Sequence, residues 1–524
     1  MKVICHLNEM VTPAVRYTLD FILNSSGFFF EWSQKPDSNC VHIIYSDTQI
    51  DESDKQLFIF IPCHYPLDTL HQKHLSWHEK KIGEHSVPVI AKEPSNHEIP
   101  FDLLATIYYH LTRIEEKRYT HPDQLDRNAT EQQFYANNRI KIPVVDLLCH
   151  WFSDLIETRH IPLLKKAAFP SGEQCGVALT HDIDRLHAVN PIKMRFNRVM
   201  SMLGLRSKEK NVSLEKAEEC LWVFDKLVSE YQKRGMKATF FFLAKKMENR
   251  SYRYAIRSRK IRRFIQFLYQ NNHEIALHSS RYAFDKLGRY IKEKKKLEKI
   301  LPEQKCGLRQ HYIRCLFPGL WRMAATAGFL YDSSLIFRRM SGFRAGTSHP
   351  FNCFDYEHGE LLPLIECPVL FFENTLPDAG ADPESSISEI QELFEQVNAY
   401  QGVLVALWHQ DNLYNNAPYP AIWKEFLALV DTDQLYVQTL IEQVRWHILR
   451  SRIVIKHMQQ KTNRWRITLD LPGETEKFTL VLPAGSNRAF VEEKGVDYSQ
   501  RGNYLCIHSV GQLSEITINI EQNS

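Results

Sequence analysis

The chain has 524 residues, 65 Lys and Arg against 62 Asp and Glu, and a hydrophobic fraction of 44%, a globular composition with room for several domains at about 100–200 residues each. Its 20 glycines and 23 prolines exclude collagen-like and low-complexity classes. A net charge of +3 leaves any affinity for nucleic acid or an anionic membrane to a local patch.

The opening stretch carries Lys2 and then Asn8 and Glu9 within the length over which a secretory signal needs an unbroken apolar core. No window reaches the ~20 apolar residues of a membrane span. The 11 cysteines are scattered and never spaced Cys-x-x-Cys, which fits neither a disulfide framework nor a thiolate zinc knuckle. The expectation is a reduced, cytoplasmic protein. Residues 1–165 read as an α/β accessory domain. Apolar runs at 2–7, 28–32, 41–45 and 57–62 predict strands, and helical periodicity covers 101–116 and 144–158, with Pro100 and Pro143 where helix starts tolerate proline. His71, His74 and His78 stand at i, i+3 and i+7, a spacing that on a helix lines one face. With no carboxylate or cysteine beside them, zinc is the weaker reading.

From 170 to 450 short apolar strands alternate with amphipathic helices. Strands are predicted at 175–180, 238–243, 274–277, 307–309, 329–332, 364–372, 403–408 and 435–438, and helices at 214–234, 259–270, 290–300, 387–400 and 422–430. Repeated βα units specify a parallel sheet with helices outside, and seven or eight of them can close into a (β/α) barrel, whose active site lies at the strand carboxyl ends. Residues 451–524 lose the helical pattern; polar–apolar alternation at 452–456, 464–469, 478–482, 504–508 and 515–520 reads as a small antiparallel β-module.

The predicted strand ends hold the chemistry. The first ends Thr180-His181-Asp182-Ile183-Asp184-Arg185; alternation puts Asp182 and Asp184 on one side, where two like charges need a cation or an arginine between them. A pairing of Asp184 with Arg185, or a turn cap, is the plainer reading of that pair taken alone. His278 follows the third strand, Arg309 and His311 the fourth, and His409 the seventh. Two carboxylates, two or three histidines and an arginine at one barrel mouth suit metal-assisted hydrolysis.

In this order the motifs over about 174–412 resemble the polysaccharide deacetylase (NodB homology) family, carbohydrate esterase family four, whose domain is a distorted (β/α) barrel. The region before it, with Tyr108-Tyr109-His110-Leu111-Thr112-Arg113-Ile114-Glu115-Glu116, resembles an accessory domain that precedes a bacterial subgroup of these barrels. The resemblance implies that Asp182 is the catalytic base, Asp184 and His278 metal ligands, Arg309 the arginine holding the base, and His409 the general acid, with Glu373 in the place of the acidic residue that tunes it. The family's second motif, His-[Ser/Thr]-x-x-His, begins at His278-Ser279 but has Tyr282 where the second histidine belongs. The third ligand is then His187 or His311, or water, or the site binds metal weakly or not at all. Segments around Tyr331-Asp332-Ser333-Ser334 and Gly342-Phe343-Arg344 also resemble the subgroup's recurring stretches near the mouth.

Chemically, a divalent cation, expected to be Zn2+, on Asp184 and His278 would polarise an acetamide carbonyl and acidify water. Asp182 would accept the proton, and protonated His409 would donate to the departing amine. Tyr282, Trp321 and Trp408 near the predicted rim are candidates to meet the sugar, with packing the default reading for the two tryptophans. The run 250–263 holds seven Arg and Lys, no acidic residue, and Tyr252 and Tyr254. It reads as the solvated face of a barrel helix first, as contact with an anionic glycan or lipid-linked substrate second, and as a nucleic-acid site last. The leading function is metal-assisted N-deacetylation of an N-acetylated sugar in a bacterial polysaccharide or its lipid-linked precursor. The alternatives are a glycan-binding relative with a decayed metal site and a metal-independent hydrolase of linear amides.

Overall fold

The computed structural model describes residues 2–35, 37, 40–47, 57–92, 98–118, 140–186, 199–200, 202–203, 223–244, 254–302, 305–377, 382–413, 418–473 and 475–522. Near the amino terminus four strands form a parallel sheet in the order Phe30–Ser33, Val3–His6, Val41–Ser46, Phe58–Pro62. The helix Pro13–Ser25 starts on a proline, with Thr12 accepting from Val15 N, and buries Val15, Leu19, Ile22 and Leu23. A hairpin of Trp77–Ile82 and His85–Ile90 turns at Gly83, whose φ of +56° lies in the left-handed region that glycine enters without strain. His71 therefore sits in a 3-10 turn and His78 in a strand, so the three histidines share no helix face and the zinc spacing dissolves.

The main sheet has ten strands. Its parallel core runs Tyr331–Asp332, Gly307–Gln310, Glu274–Ser279, Ala238–Leu243, Cys175–Ile183, Val403–His409, Phe371–Phe372, with Leu435–Val437 also paired to Cys175–Ile183. The predicted strand 364–372 is split into Glu360–Glu366, beside Tyr331–Asp332, and Phe371–Phe372, beside Val403–His409. One continuous segment thus joins the two sides of the parallel core, with Val369 N donating to Leu335 O and Leu370 N to Val405 O on the way. The antiparallel strand Phe351–Asp355 is an addition at the Glu360–Glu366 edge. Helices Phe224–Lys233, Arg259–Gln270, Leu287–Glu298, Pro383–Ala399 and Tyr419–Val430 alternate with these strands and bury one apolar stripe each. Gly307 lets neighbours close in: a Cβ there would lie 2.0 Å from Tyr331 Cζ, and Tyr331 reaches past it to donate to Glu274 Oε1 at 2.6 Å.

Register brings the strand ends level. His409 pairs with Asp182, Asp182 with Phe241, Leu243 with His278, and His278 with Arg309. After the helix Leu440–Arg452 come two four-stranded antiparallel sheets. One of them recruits Lys165–Lys166, which pairs with Phe478–Val481, so the segment linking the first and central regions is stitched into the last one.

The amino-terminal region grips the central one through buried charge. Glu116 accepts from Arg113 Nε and Nη2 at 3.0 and 2.8 Å and from Arg344 Nε and Nη2 at 3.1 and 3.0 Å. Arg344 Nη1 donates to Ile336 O at 2.7 Å, and Asp146 accepts from Ser348 N and Oγ, both at 2.8 Å.

Candidate active site

Alternation along Cys175–Ile183 turns Thr180 and Asp182 inward, and Asp184 follows just past the strand end. His181 faces the other way, its Nδ1 hydrogen-bonded to Trp408 O at 3.1 Å and its Nε2 to Tyr231 Oη at 2.6 Å. Arg309, buried three strands away, donates from Nη1 to Asp182 Oδ1 at 3.0 Å and to Thr180 Oγ1 at 2.9 Å. Its other nitrogens donate to Ser333 O and Oγ, both at 2.9 Å, and its guanidinium lies 4.1 Å from the centroid of the Phe241 ring. Every part of the fork is fixed. Burial works to raise the Asp182 pKa, but His278 and Arg309 outweigh it and hold the group below its ordinary value.

The second cluster is Asp184, His278 and His311, which each offer a ligand atom within 4.8 Å of the others. His278 Nδ1 lies 2.9 Å from Arg309 O; a carbonyl can only accept, so Nδ1 carries a hydrogen and Nε2 is the ring atom turned to a metal. That Nε2 is 3.4 Å from Asp184 Oδ1, and His311 Nε2 is 3.2 Å from the same oxygen. Asp184 Oδ1 is buried with no well-formed hydrogen bond, a costly state for a carboxylate oxygen that a cation relieves. Burial opposes ionisation of Asp184, yet His311 and His278 hold it well below its ordinary value. Burial dominates at His311 and lowers its pKa despite Asp184, leaving a neutral imidazole suited to ligation. One carboxylate and two imidazoles around an ionised oxygen fit a divalent ion such as zinc.

The turn that delivers His311 is strained: Tyr312 and Ile313 have φ of +60° and +54°, a region costly for a β-branched side chain. Opposite, His409 Nδ1 donates to Glu373 Oε1 at 2.8 Å, and the same oxygen accepts from His409 N at 3.0 Å and Asn412 Nδ2 at 2.6 Å. His409 Nε2 points toward Asp184, 3.8 Å from Oδ2. Although burial disfavours the cation, Glu373, then Asp184 and Asp182, raise the His409 pKa to about 10. Asp182, Asp184, His278, Arg309, His311 and His409 line one open cavity of about 290 Å³ together with Tyr312, Ile336 and Asn374, and Glu373 lies buried behind His409.

The structure therefore brings Asp182, Asp184, His278, Arg309, His311, Glu373 and His409 together, while His187 lies outside the described residues. Three expected sugar contacts need correction. Trp408 is 0% exposed, its side chain directed away from the cavity that its neighbours Leu407 and His409 line and packed near Phe371 and Phe426. Trp321 is likewise 0% exposed and donates to Glu366 Oε2 at 2.8 Å. Tyr282 lies between the guanidiniums of Arg281 and Arg289, at 5.3 and 5.7 Å, and does not line the cavity. Thr180, Ser333 and Asn412 were given no role from the sequence; Thr180 had a signal in its two-residue spacing from Asp182, and Ser333 only in the segment 331–334 that contains it.

A family model described as a family of unknown function (DUF7033) matches residues 4–161. Structural neighbours of the chain include polysaccharide deacetylases. A protein described as a polysaccharide deacetylase from Mycobacterium smegmatis aligns with 18% identity over 56% of this chain and 98% of its own, TM-score 0.39. The carbohydrate deacetylase Agd3 aligns with 9% identity over 100% of this chain and 98% of its own, TM-score 0.39. PuuE allantoinase aligns with 14% identity over 54% and 93%, TM-score 0.39. No curated protein matches the sequence. At these values the functional reading stands on the geometry of the site itself.

Proposed function

We propose that this chain is a metal-dependent hydrolase that removes the acetyl group from an N-acetylated sugar in a bacterial polysaccharide or its precursor. The observation that carries the reading is the grouping of Asp184, His278 and His311 within 4.8 Å, flanked by Asp182 on Arg309 and His409 on Glu373. The segment 360–372, paired with strands on both sides of the parallel core, supports a distorted (β/α) barrel with the site at its carboxyl end. The ten described cysteines are all free, which supports a reducing compartment, the cytoplasm.

A divalent ion on Asp184, His278 and His311 would supply Lewis-acid polarisation of the acetamide carbonyl. Asp182, ionised and held by Arg309, takes a proton from water as the water oxygen bonds to the carbonyl carbon. His409 gives its Nε2 proton to the nitrogen as the C–N bond breaks, because an amine leaves far more readily than its anion. Glu373 holds the imidazolium through Nδ1 and aims Nε2 at the cavity. Water and amide are consumed; acetate and a free amino sugar result. Arg309 acts through Asp182 as a positioning residue.

The test is acetate release from N-acetylated oligosaccharides by the purified protein, with metal content measured alongside. Turnover that falls at least about a hundredfold in Asp182→Asn supports the assignment. Unchanged turnover in that variant removes Asp182 from the role of base, and a protein that neither binds metal nor releases acetate is the glycan-binding relative instead.

A further inference from the structure

The helix Arg259–Gln270 buries Ile261, Phe264, Ile265 and Leu268 and turns its opposite face to solvent. That face is cationic at its start: Arg259, Lys260, Arg262 and Arg263 fall in the first turns, Arg257 precedes the Ser258 cap, and the first turn holds no acidic residue. Arg257, Arg259, Arg262 and Arg263 are exposed and engage no salt bridge or hydrogen bond among the described residues. Cations beside a helix amino terminus oppose the macrodipole, and among the described residues no carboxylate pairs with these four arginines. That leaves an exposed cationic surface to which an anion outside the chain is complementary.

Farther along the helix Phe267 and Tyr269 are 43% and 45% exposed, Phe267 in line with Arg259 and Arg263 and Tyr269 on the Arg262 flank, seven positions after it. Arg259, Arg263 and Phe267 follow each other at i, i+4 and i+8, so the cationic stripe runs into an exposed aromatic. Basic side chains meet lipid phosphates, and aromatic rings settle at headgroup depth, so this combination fits an anionic bilayer surface. A convex helix face with two separated rings lacks the groove and stacking platform that single-stranded nucleic acid requires.

The stripe also has a fixed place relative to the cavity. Tyr254, four residues before the helix cap, accepts from Leu243 N at 2.6 Å and donates to Ile183 O at 2.8 Å. Ile183 stands between Asp182 and Asp184, so the helix start is tied to the catalytic end of the sheet.

We propose that this helix docks the protein peripherally on an anionic phospholipid surface. Among the described residues no helix is long and apolar enough to cross a bilayer, which leaves surface attachment as the geometry to test. The experiment is flotation of the full chain with vesicles of phosphatidylcholine alone and with about one-third phosphatidylglycerol, at low and high salt. Binding is expected only to the anionic vesicles, to weaken with salt, and to fall at least about tenfold in R257Q/R259Q/R262Q/R263Q. Gln preserves the helix, and circular dichroism together with an unchanged thermal midpoint checks that the variant is folded. Phe267→Ser should weaken binding without changing its salt dependence. The proposal is overturned by equal binding to neutral vesicles, by no binding to anionic ones, or by undiminished binding of the quadruple variant. It is also overturned if a single-stranded oligonucleotide is captured in preference to the vesicles and that capture is lost in the same variant. None of these outcomes depends on the proposed deacetylation.

Discussion

Replacing Glu116 with Ala tests how the amino-terminal region supports the cavity. Its carboxylate accepts four hydrogen bonds from two buried guanidiniums, at 3.0, 2.8, 3.1 and 3.0 Å. Removing it leaves the two buried guanidiniums of Arg113 and Arg344 facing a single remaining carboxylate, Glu115, which pairs with Arg113, so the expected loss is about 3 kcal/mol. An exposed pair provides the contrast: Lys2–Glu31, at 2.8 Å with Glu31 largely solvated, should cost under about 1 kcal/mol in Glu31→Ala. Burial raises the Glu116 pKa, but Arg344 and Arg113 bring it below its ordinary 4.5. With the folded value depressed, this stabilisation is full above about pH 4.5 and is lost as pH falls below it. Urea midpoints at pH 7 and pH 4 for wild type and both variants measure these quantities. Because Arg344 also holds the carbonyl of Ile336, which lines the cavity, Glu116→Ala should raise KM more than it lowers kcat. A loss no greater than that of Glu31→Ala would refute the reasoning.

Glu373→Gln keeps an oxygen for His409 and Asn412 but removes the charge that sustains the imidazolium; kcat should fall about ten- to a hundredfold with KM little changed, and steady-state acetate release decides it. Arg309→Lys replaces a fork that spans Asp182, Thr180 and Ser333 with one ammonium, so kcat should fall by a similar factor and remain below wild type at any pH. Glu274 is buried and its pKa is raised by that burial to about 7. A raised folded value means its contribution is complete below about pH 4.5 and disappears as pH climbs through 7, about 3 kcal/mol in all. Glu274→Gln should flatten that part of the stability–pH curve, read from thermal midpoints between pH 4 and pH 8.

Most of the site was legible because the barrel reading says where to look and strand alternation says which residues face inward. Asp182, Asp184, His278, Arg309 and His409 all end predicted strands, and the helix predicted at 259–270 is observed as Arg259–Gln270. His311 could not be singled out on spacing as the third member of the cluster with Asp184 and His278, because it comes from another strand through a turn with two left-handed residues, which no local pattern announces. Trp408 was misassigned where alternation already held the answer: Leu407 and His409 face the cavity, so the residue between them faces the packed side. Trp321 was misjudged for a different reason, its buried Glu366 acceptor lying 45 positions away. The same distance effect hid the Lys165–Lys166 strand, whose partner Phe478–Val481 belongs to the last region of the chain.

The most direct measurement is a zinc titration of the purified chain, its His311→Ala variant and its Tyr282→Ala variant, by equilibrium dialysis with a competing chelator. One equivalent bound by the wild type, an affinity at least about a hundredfold weaker without His311, and no change without Tyr282 is the result expected of a site built from Asp184, His278 and His311. Equal affinity in wild type and His311→Ala, or no zinc bound by the wild type, would contradict it.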